Sequence, residues 1–532
     1  LYEDENTNIE VIGRSMTGRD RPERYAESKK AIARRFGITE SLDFVVDGVE
    51  RDAVRRPSVL RNMEGFQRAV EEISGVSGSM SIADILPDFV SAIHGGDPKW
   101  ELIPQDRHEA GFFLGMIFSS AEPGDLSEFI TPDSSDANIR VFLRDRKAST
   151  LAKVAEGTRR YADEHLFEKI AKGAGEEDAA SGKASAGLQD VARFRLAGTD
   201  GLENPDRSPA APVRCGRPLV AAEASPYPWT PRDKLYDVTF VGEHVWVVGY
   251  PGVILHSSDR GVSWEAQKGG AGEALFAVDF VDESTGWISG RGGLVLHTVD
   301  GGKIWSKQDT GCSVALLALD FVDARNGWVV GDFLRKNEYE EVAQVWHTSD
   351  GGETWSNQNH GEIATSMGVV PVLNGVSFVN DKRGWIAGEY GSMFETKDGG
   401  ASWTRLATGT ERHLFDVRFR GEKDGVVVGS AGTVLQTEDG GETWTDRSVR
   451  NQNPLFNAHF AGGRTWACGQ GGTVVQEGKF GLESERTGDV YVWLSAISFS
   501  DDGQTGLAVG RAGTIVRTAD GGETWSALSI QR

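Results

Sequence analysis

An eight-residue phrase, Thr437-Glu-Asp-Gly-Gly-Glu-Thr-Trp444, recurs with small changes through the C-terminal three-fifths of the chain and limits what that part can fold into. The other copies are Ser257-Ser-Asp-Arg-Gly-Val-Ser-Trp264, Thr298-Val-Asp-Gly-Gly-Lys-Ile-Trp305, Thr348-Ser-Asp-Gly-Gly-Glu-Thr-Trp355, Thr396-Lys-Asp-Gly-Gly-Ala-Ser-Trp403 and Thr518-Ala-Asp-Gly-Gly-Glu-Thr-Trp525. Successive tryptophans are 41, 50, 48, 41 and 81 residues apart, and the last gap is about two ordinary ones. A unit whose box has decayed therefore falls near Phe456 to Gln476, where Thr465-Trp-Ala-Cys-Gly-Gln-Gly-Gly-Thr-Val-Val matches the middle of the others. The count is seven.

Each unit also carries short apolar runs, such as Leu275-Phe-Ala-Val-Asp-Phe280, Gly286-Trp-Ile-Ser-Gly290 and Gly293-Leu-Val-Leu-His297, separated by Gly and Asp turns. Short strands at this spacing, four to a repeat of about 40 residues, are propeller blades. In the box, Asp and Gly make the tight turn, Ser or Thr bonds the local backbone, and Trp buries its ring between blades while its N–H finds a partner. Asp259, Trp264, Asp300, Trp305, Asp350, Trp355, Asp398, Trp403, Asp439, Trp444, Asp520 and Trp525 are thus structural residues. The spelling G-W-x-x-G-x-x-G-x-x-x-x-T-x-D-G-G-x-T-W resembles the Asp-box (BNR) family in its Ycf48/HCF136-like branch, named for photosystem II assembly factors. The resemblance covers about residues 225–532; it implies the fold, whereas Asp boxes also occur in sialidases and sortilin-type receptors, so function must come from the site.

Residues 1–203 have another texture. Helices are expected over Arg21–Phe36, from Pro57 to about Ile73 with Leu60, Phe66 and Val70 on one face, over Asp84–Ile93 behind Ser81 as N-cap, over Gln105–Ser119, and over Ser149–Glu164. Strands are expected at Leu42–Gly48, Asn138–Leu143 and Val191–Ala197, and Lys172–Gln189 reads as a loop. Strand, helix, strand twice over argues for a split βαβ, ferredoxin-like α+β domain. The fold class expected for the chain is therefore multidomain: an α+β domain (1–203), a Pro/Ala-rich linker (204–230) and an all-β seven-bladed propeller (231–532).

Val45-Val-Asp-Gly-Val, Arg55-Arg-Pro-Ser-Val-Leu60, Ser81-Ile-Ala-Asp-Ile-Leu86, Pro123-Gly-Asp-Leu-Ser-Glu-Phe-Ile130 and Phe194-Arg-Leu-Ala-Gly198 resemble the extracytoplasmic porter loop of the RND superfamily, in its MMPL/HAE3-like branch. That resemblance implies a periplasmic or extracytoplasmic, membrane-associated location and a transporter for hydrophobic or lipid-like cargo. The sequence departs from it in having no membrane segment to hold the charged residues that couple export to proton entry. The chain then reads as a natural fusion or as joined extramembrane pieces.

With 79 acidic against 56 basic side chains, the formal charge of −23 disfavours a nucleic acid partner. Cys215, Cys312 and Cys468 show no metal-ligand spacing, the latter two reading as apolar fillers, and no cofactor or metal motif occurs.

If strands run a to d outward, the box joins c to d on one face, and the b–c and d–a loops lie on the other. Longer insertions, Asp332–Ala343 and Asn357–Pro371, map to that second face. It should present Tyr250, Arg291, Asp332, Tyr390, Ser430, Gln470 and Arg511, with Glu389 beside Tyr390, and Arg412 and His413 from a d–a loop. A mixed ring with aromatic and Arg members suits a protein or polar-ligand contact. The expected function is a non-enzymatic binding and assembly module whose partner is a membrane protein of the RND type, with a hydrophobic small molecule or lipid as a further ligand. The alternatives are a sialidase-like glycoside hydrolase, drawing on Arg291, Arg511, Asp332 and Glu389, and a photosystem II assembly factor.

Overall fold

The computed structural model describes residues 40–48, 51–161 apart from 123–124 and 146, 192–196, and 232–528 apart from short stretches at 270–271, 338–339, 360–362, 365–367, 451, 479–480 and 488–489. The expected helix Arg21–Phe36, loop Lys172–Gln189, linker 204–230 and Cys215 lie outside the described residues. Contacts divide the chain into two units: residues 1–90 with 101–219, and residues 91–100 with 220–532.

In the first unit the described elements run β1 (Glu40–Gly48), α1 (Pro57–Glu71), β2 (Val76–Met80), α2 (Ile82–Ile93, its last turn falling in the second unit), α3 (Arg107–Ser120), β3 (Asp136–Leu143), α4 (Ala148–Tyr161) and β4 (Ala192–Leu196). The sheet order is β2-β3-β1-β4, and every pairing is antiparallel. This is the split βαβ arrangement, with α2 and α3 inserted between β2 and β3. Sequence reading missed β2, whose Val-Ser-Gly-Ser-Met has too few β-formers to signal a strand. Pro57 starts α1, and Leu60, Met63, Phe66 and Val70 are buried along one face, with Phe66 edge-on to Phe44 of β1 at 5.1 Å. Ser81 caps α2, accepting from Ala83 N–H while Asp84 Oδ2 accepts from Ser81 N–H. Among the described residues no helix is long and apolar enough to cross a membrane.

The second unit holds seven four-stranded sheets, each built from consecutive chain. Counted from the N-terminus, blades 1 to 7 cover residues 234–266, 275–309, 316–357, 373–405, 414–446, 455–486 and 494–527. The ring closes by packing of blade 7 on blade 1, where Ala496, Leu507, Val509 and Ile515 meet Leu235, Val238, Val245 and Val247. One bond at that junction runs from Ser495 Oγ to Leu235 O (2.6 Å).

An aromatic sandwich joins blades 1 to 5. A tryptophan of one blade's b strand lies flat on the a-strand phenylalanine of the next: Trp246 on Phe280, Trp287 on Phe321, Trp328 on Phe378 and Trp385 on Phe419, with centroids 3.5–3.7 Å apart. The box tryptophans Trp305, Trp355, Trp403 and Trp444 stand edge-on to the same four rings. Burying each such ring removes roughly 150–250 Å² from water, about 4–6 kcal/mol of transfer free energy.

The indole N–H expectation holds for Trp264, which donates to Gly261 O (3.2 Å), and for Trp305, which donates to Gln267 Oε1 (3.3 Å), and needs correction elsewhere. Acceptors are found chiefly by the b-strand tryptophans, which reach the next blade's box: Trp246 to Gly301 O, Trp287 to Gly351 O, Trp328 to Gly399 O and Trp385 to Gly440 O, at 2.9–3.3 Å. The box rings Trp355, Trp444 and Trp525 are partly buried, with Nε1 shielded from solvent and facing no acceptor among the described residues, because their edges point into the aromatic layer. The box turn itself is as expected. Thr437 Oγ1 donates to Asp439 Oδ1 (2.7 Å) and accepts from Gly441 N–H (2.9 Å), and Asp439 Oδ1 accepts from Thr443 N–H (2.9 Å). Hydrogen bonds from Thr443 and Thr437 hold the Asp439 carboxyl down at about 2.

Candidate docking face and axial channel

Gly290, Gly388, Gly429, Gly469 and Gly510 end their b strands, while Gly249 and Gly331 hold the same register within theirs, and the residue after each takes the b–c corner position. At Gly249, Gly290, Gly331, Gly388, Gly429, Gly469 and Gly510 a Cβ would run into the carbonyl oxygen of the residue just before or at the start of the a strand. Only a missing side chain permits that approach. In six blades the corner N–H then donates to the same carbonyl: Arg291 to Ala274 O, Asp332 to Ala315 O, Glu389 to Val372 O, Ser430 to His413 O, Gln470 to Pro454 O and Arg511 to Trp493 O, at 2.9–3.2 Å. Tyr250 takes the matching register in blade 1, opposite Lys234.

These bonds put Arg291, Asp332, Ser430, Gln470 and Arg511 at equivalent positions, whereas the blade 4 position expected for Tyr390 is taken by its neighbour. They also single out Glu389 as the corner of blade 4, with Tyr390 one residue further, in the left-handed region at φ 56°. Tyr390 is 43% exposed, and its ring lies 5.2 Å from that of His413. Arg412 is turned toward blade 5, its Nη1 donating to Ala431 O at 3.3 Å. The insertion expected as a loop at Asp332–Ala343 is a longer hairpin: strands Gly327–Asn337 and Glu340–Thr348 stay paired from Phe333↔Ala343 to Asn337↔Glu340. Phe333 opposite Ala343 and Leu334 opposite Val342 carry apolar side chains along that ladder. The insertion after blade 3 lies partly outside the described residues.

The inner strands carry a polar ring that sequence reading did not assign. Asp237 accepts from Val278 N–H (2.9 Å), Asp279 from Phe321 N–H (2.8 Å), Asp320 from Phe378 N–H, and Ser377 Oγ from Phe419 N–H (3.2 Å). Asp416 accepts from Ala458 N–H (3.0 Å) and Asn457 Nδ2 (2.8 Å), while Asn457 Oδ1 accepts from Ile497 N–H (3.0 Å). With Ser495, every blade junction has one such brace. A visible signal existed: Asp in the fourth or fifth place of an apolar run, as in Leu-Phe-Ala-Val-Asp-Phe280 and Leu-Leu-Ala-Leu-Asp-Phe321.

Of these groups Asp237, Asp279, Asp416, Asn457 and Ser495 line an axial cavity of about 230 Å³ with Arg418, His459 and Lys99. Arg418 Nε donates to Asp416 Oδ2 at 3.2 Å, and the Asp416 charge pushes the guanidinium pKa up. Desolvation pushes Asp237 up to about 6 and raises Asp279 and Asp320 as well, Asp320 further because of the Asp279 charge. Desolvation, with Arg418 near, depresses His459 to about 4.

The segment Ser91–Trp100 belongs with the propeller by its contacts. Gly95 and Gly96, at φ 73° and 89°, reverse the chain after α2, and Ser91 Oγ donates to Asp97 O (2.9 Å) to close the loop. Its His94 stacks on Trp100 (3.9 Å, 12°) and meets Glu389 Oε1 through Nδ1 at 2.7 Å. His413 Nδ1 lies 3.6 Å from the same oxygen, and burial depresses the His413 pKa. Lys99 Nζ donates to Leu317 O at 2.6 Å, at the start of the blade 3 inner strand. The d–a and b–c face thus holds a peptide in place. Sequence reading ended a helix at Ile93 and left residues 94–100 unassigned, although Trp100 stands as the single tryptophan before Trp229.

Among the described residues no group of three or more His, Cys, Asp or Glu is placed to hold a metal ion. Cys468 is fully buried beside Trp466 and Val474, and Cys312 is partly buried.

The family described as "Photosynthesis system II assembly factor YCF48" matches residues 229–313, 305–410 and 406–487, together 259 of the 532 residues and all within the propeller. The propeller is therefore YCF48/BNR-like, and that match does not extend to residues 1–203, where the porter resemblance lies. Among curated proteins there is no significant match. Similar solved structures include YCF48 bound to a D1 peptide (18% identity, 56% of this chain and 98% of that one, TM-score 0.44). Another is YCF48 from Cyanidioschyzon merolae (19% identity, 55% and 97%, TM-score 0.44). A third is PorZ of the type-IX secretion system of Porphyromonas gingivalis (13% identity, 57% and 39%, TM-score 0.41).

Proposed function

We propose that this chain is a non-enzymatic docking and assembly module for a membrane protein outside the cytoplasm, with the corner face of the propeller as its platform. The observation that carries this reading is the peptide already seated there: Ser91–Trp100 engages Glu389 and Leu317 O through His94 and Lys99. The match of the propeller to an assembly-factor family supports it. So does the commitment of the channel carboxylates to backbone N–H groups across the blade junctions, which leaves them bracing sheets. The finer reading is an RND/MMPL-type transporter as partner, handling hydrophobic or lipid-like cargo. It rests on the porter-like wording of residues 1–203 and on the split βαβ order of their sheet. Tyr250, Arg291, Asp332, Glu389, Tyr390, Arg412, Gln470 and Arg511 are the docking residues assigned.

Affinity capture from solubilised envelope membranes tests the reading. A transporter-class membrane protein is expected with the natural chain and is expected to be lost with Arg291→Ala/Arg511→Ala. Recovery of no membrane protein, or recovery unchanged in the double variant, overturns it. Capture of a photosystem II subunit instead would favour the second reading, an assembly factor in the strict sense, for which the family match speaks.

A further inference from the structure

The axial cavity is acidic and mouthed. Asp237, Asp279 and Asp416 line it with Arg418 as their cation, and the Asp320 charge also acts on that guanidinium, an excess of carboxylates that a second cation would balance. That cation is Lys99. Its ammonium lowers the pKa of Asp237, so the charge is felt inside the cavity, and its Nζ is fixed on Leu317 O at the rim. An ammonium is strongly hydrated and carries three donors, so holding one in such a site requires acceptors and opposite charge already in place.

The segment that delivers it is short and pre-shaped. Two left-handed glycines turn the chain, Asp97 Oδ1 accepts from Lys99 N–H (2.9 Å) and fixes the Lys99 backbone, and the His94–Trp100 stack sets the side opposite Glu389. Gly95 packs against His413 and Phe415, and Gly96 faces Pro454, so a Cβ at Gly95 would crowd the blade 5 rim. Two polar anchors, His94 on Glu389 and Lys99 on Leu317 O, and a glycine turn are the contacts of a bound peptide, here supplied by the same chain.

We propose that the mouth of the propeller is a receptor for a lysine-bearing turn peptide of a protein partner, and that Ser91–Trp100 is a self-ligand holding the mouth until such a peptide displaces it. This rests on the docking reading above and names the chemistry the platform selects: a lysine ammonium into the acidic channel, flanked by a group that bonds Glu389. A resident segment lowers the apparent affinity for an outside peptide by the fraction of time the mouth is open.

The test uses the full chain and a fluorescent synthetic peptide with the sequence of residues 91–101, followed by anisotropy. Binding to His94→Ala/Lys99→Ala is expected to be about tenfold or more tighter than to the natural chain, since the competitor is disabled. Adding Glu389→Gln is expected to weaken it about tenfold, and a peptide carrying Met in place of its lysine is expected to lose a similar factor. Equal affinity for the natural chain and the double variant, or equal binding of the Met peptide, overturns the proposal. Should the double variant fail to fold, Lys99→Met alone, which keeps the stem, gives the same comparison. Peptide binding without any corner-dependent capture of a membrane protein sinks the docking reading alone, and the reverse result sinks the self-ligand alone.

Discussion

Trp385 and Trp444 are the same residue type within one aromatic sandwich, yet they do different work. Trp385 is fully buried, flat on Phe419, and its N–H reaches Gly440 O at 2.9 Å. Trp444 is edge-on to Phe419, with its Nε1 facing no acceptor among the described residues. Both lose ring area on replacement by Phe, the fully buried Trp385 more than the partly buried Trp444, and only Trp385 also loses a hydrogen bond. Urea unfolding should show Trp385→Phe costing about 1–2 kcal/mol more than Trp444→Phe; equal costs would mean that the bond to Gly440 contributes nothing. The box was legible because its turn chemistry is local: Thr, Asp and Gly within a few residues satisfy one another. Which indole found a partner was not legible, since Gly440 lies 55 residues from Trp385 and belongs to the next blade.

At the scale of strands, the inner ring is where pH enters. Asp237 is raised to about 6 and Asp320 to about 7 by loss of water in the channel. A carboxyl raised above its ordinary value contributes stability that is fully present below that ordinary value and is lost as pH climbs through the folded one. His459, depressed to about 4, acts oppositely: its contribution is complete above the ordinary histidine value and is lost on acidification. Between pH 6.5 and 8.5 the carboxyls therefore decide the slope. Melting temperature should fall across that window by a few degrees, at about 2–4 °C per kcal/mol. Asp320→Asn, whose amide oxygen can still accept from Phe378 N–H, should flatten the fall. A flat natural profile, or an equally steep one in the variant, would contradict the assignment. Strand positions themselves were readable from alternation. The brace was not, because an Asp in an apolar run looks like a strand end until the next blade's N–H is seen beside it. The hairpin of blade 3 was hidden likewise by Arg335, Lys336, Glu340 and Glu341, whose charges suit a loop as well as a protruding ladder.

For the whole molecule, counting boxes gave the ring of seven because each blade repeats one local grammar, and the decayed sixth box still left its middle strands in the text. The seat of Ser91–Trp100 could not be read that way: it depends on a pairing of His94 with Glu389 across 295 residues, with no repeat to announce it. The central claim is that the corner face binds protein. Photo-crosslinking in native membranes tests it most directly, with a benzophenone side chain placed at Gln470 on the corner face or at Glu442 on the box face. The account predicts a discrete membrane-protein adduct from Gln470 and none from Glu442; no adduct from Gln470, or the same adduct from both positions, would contradict it.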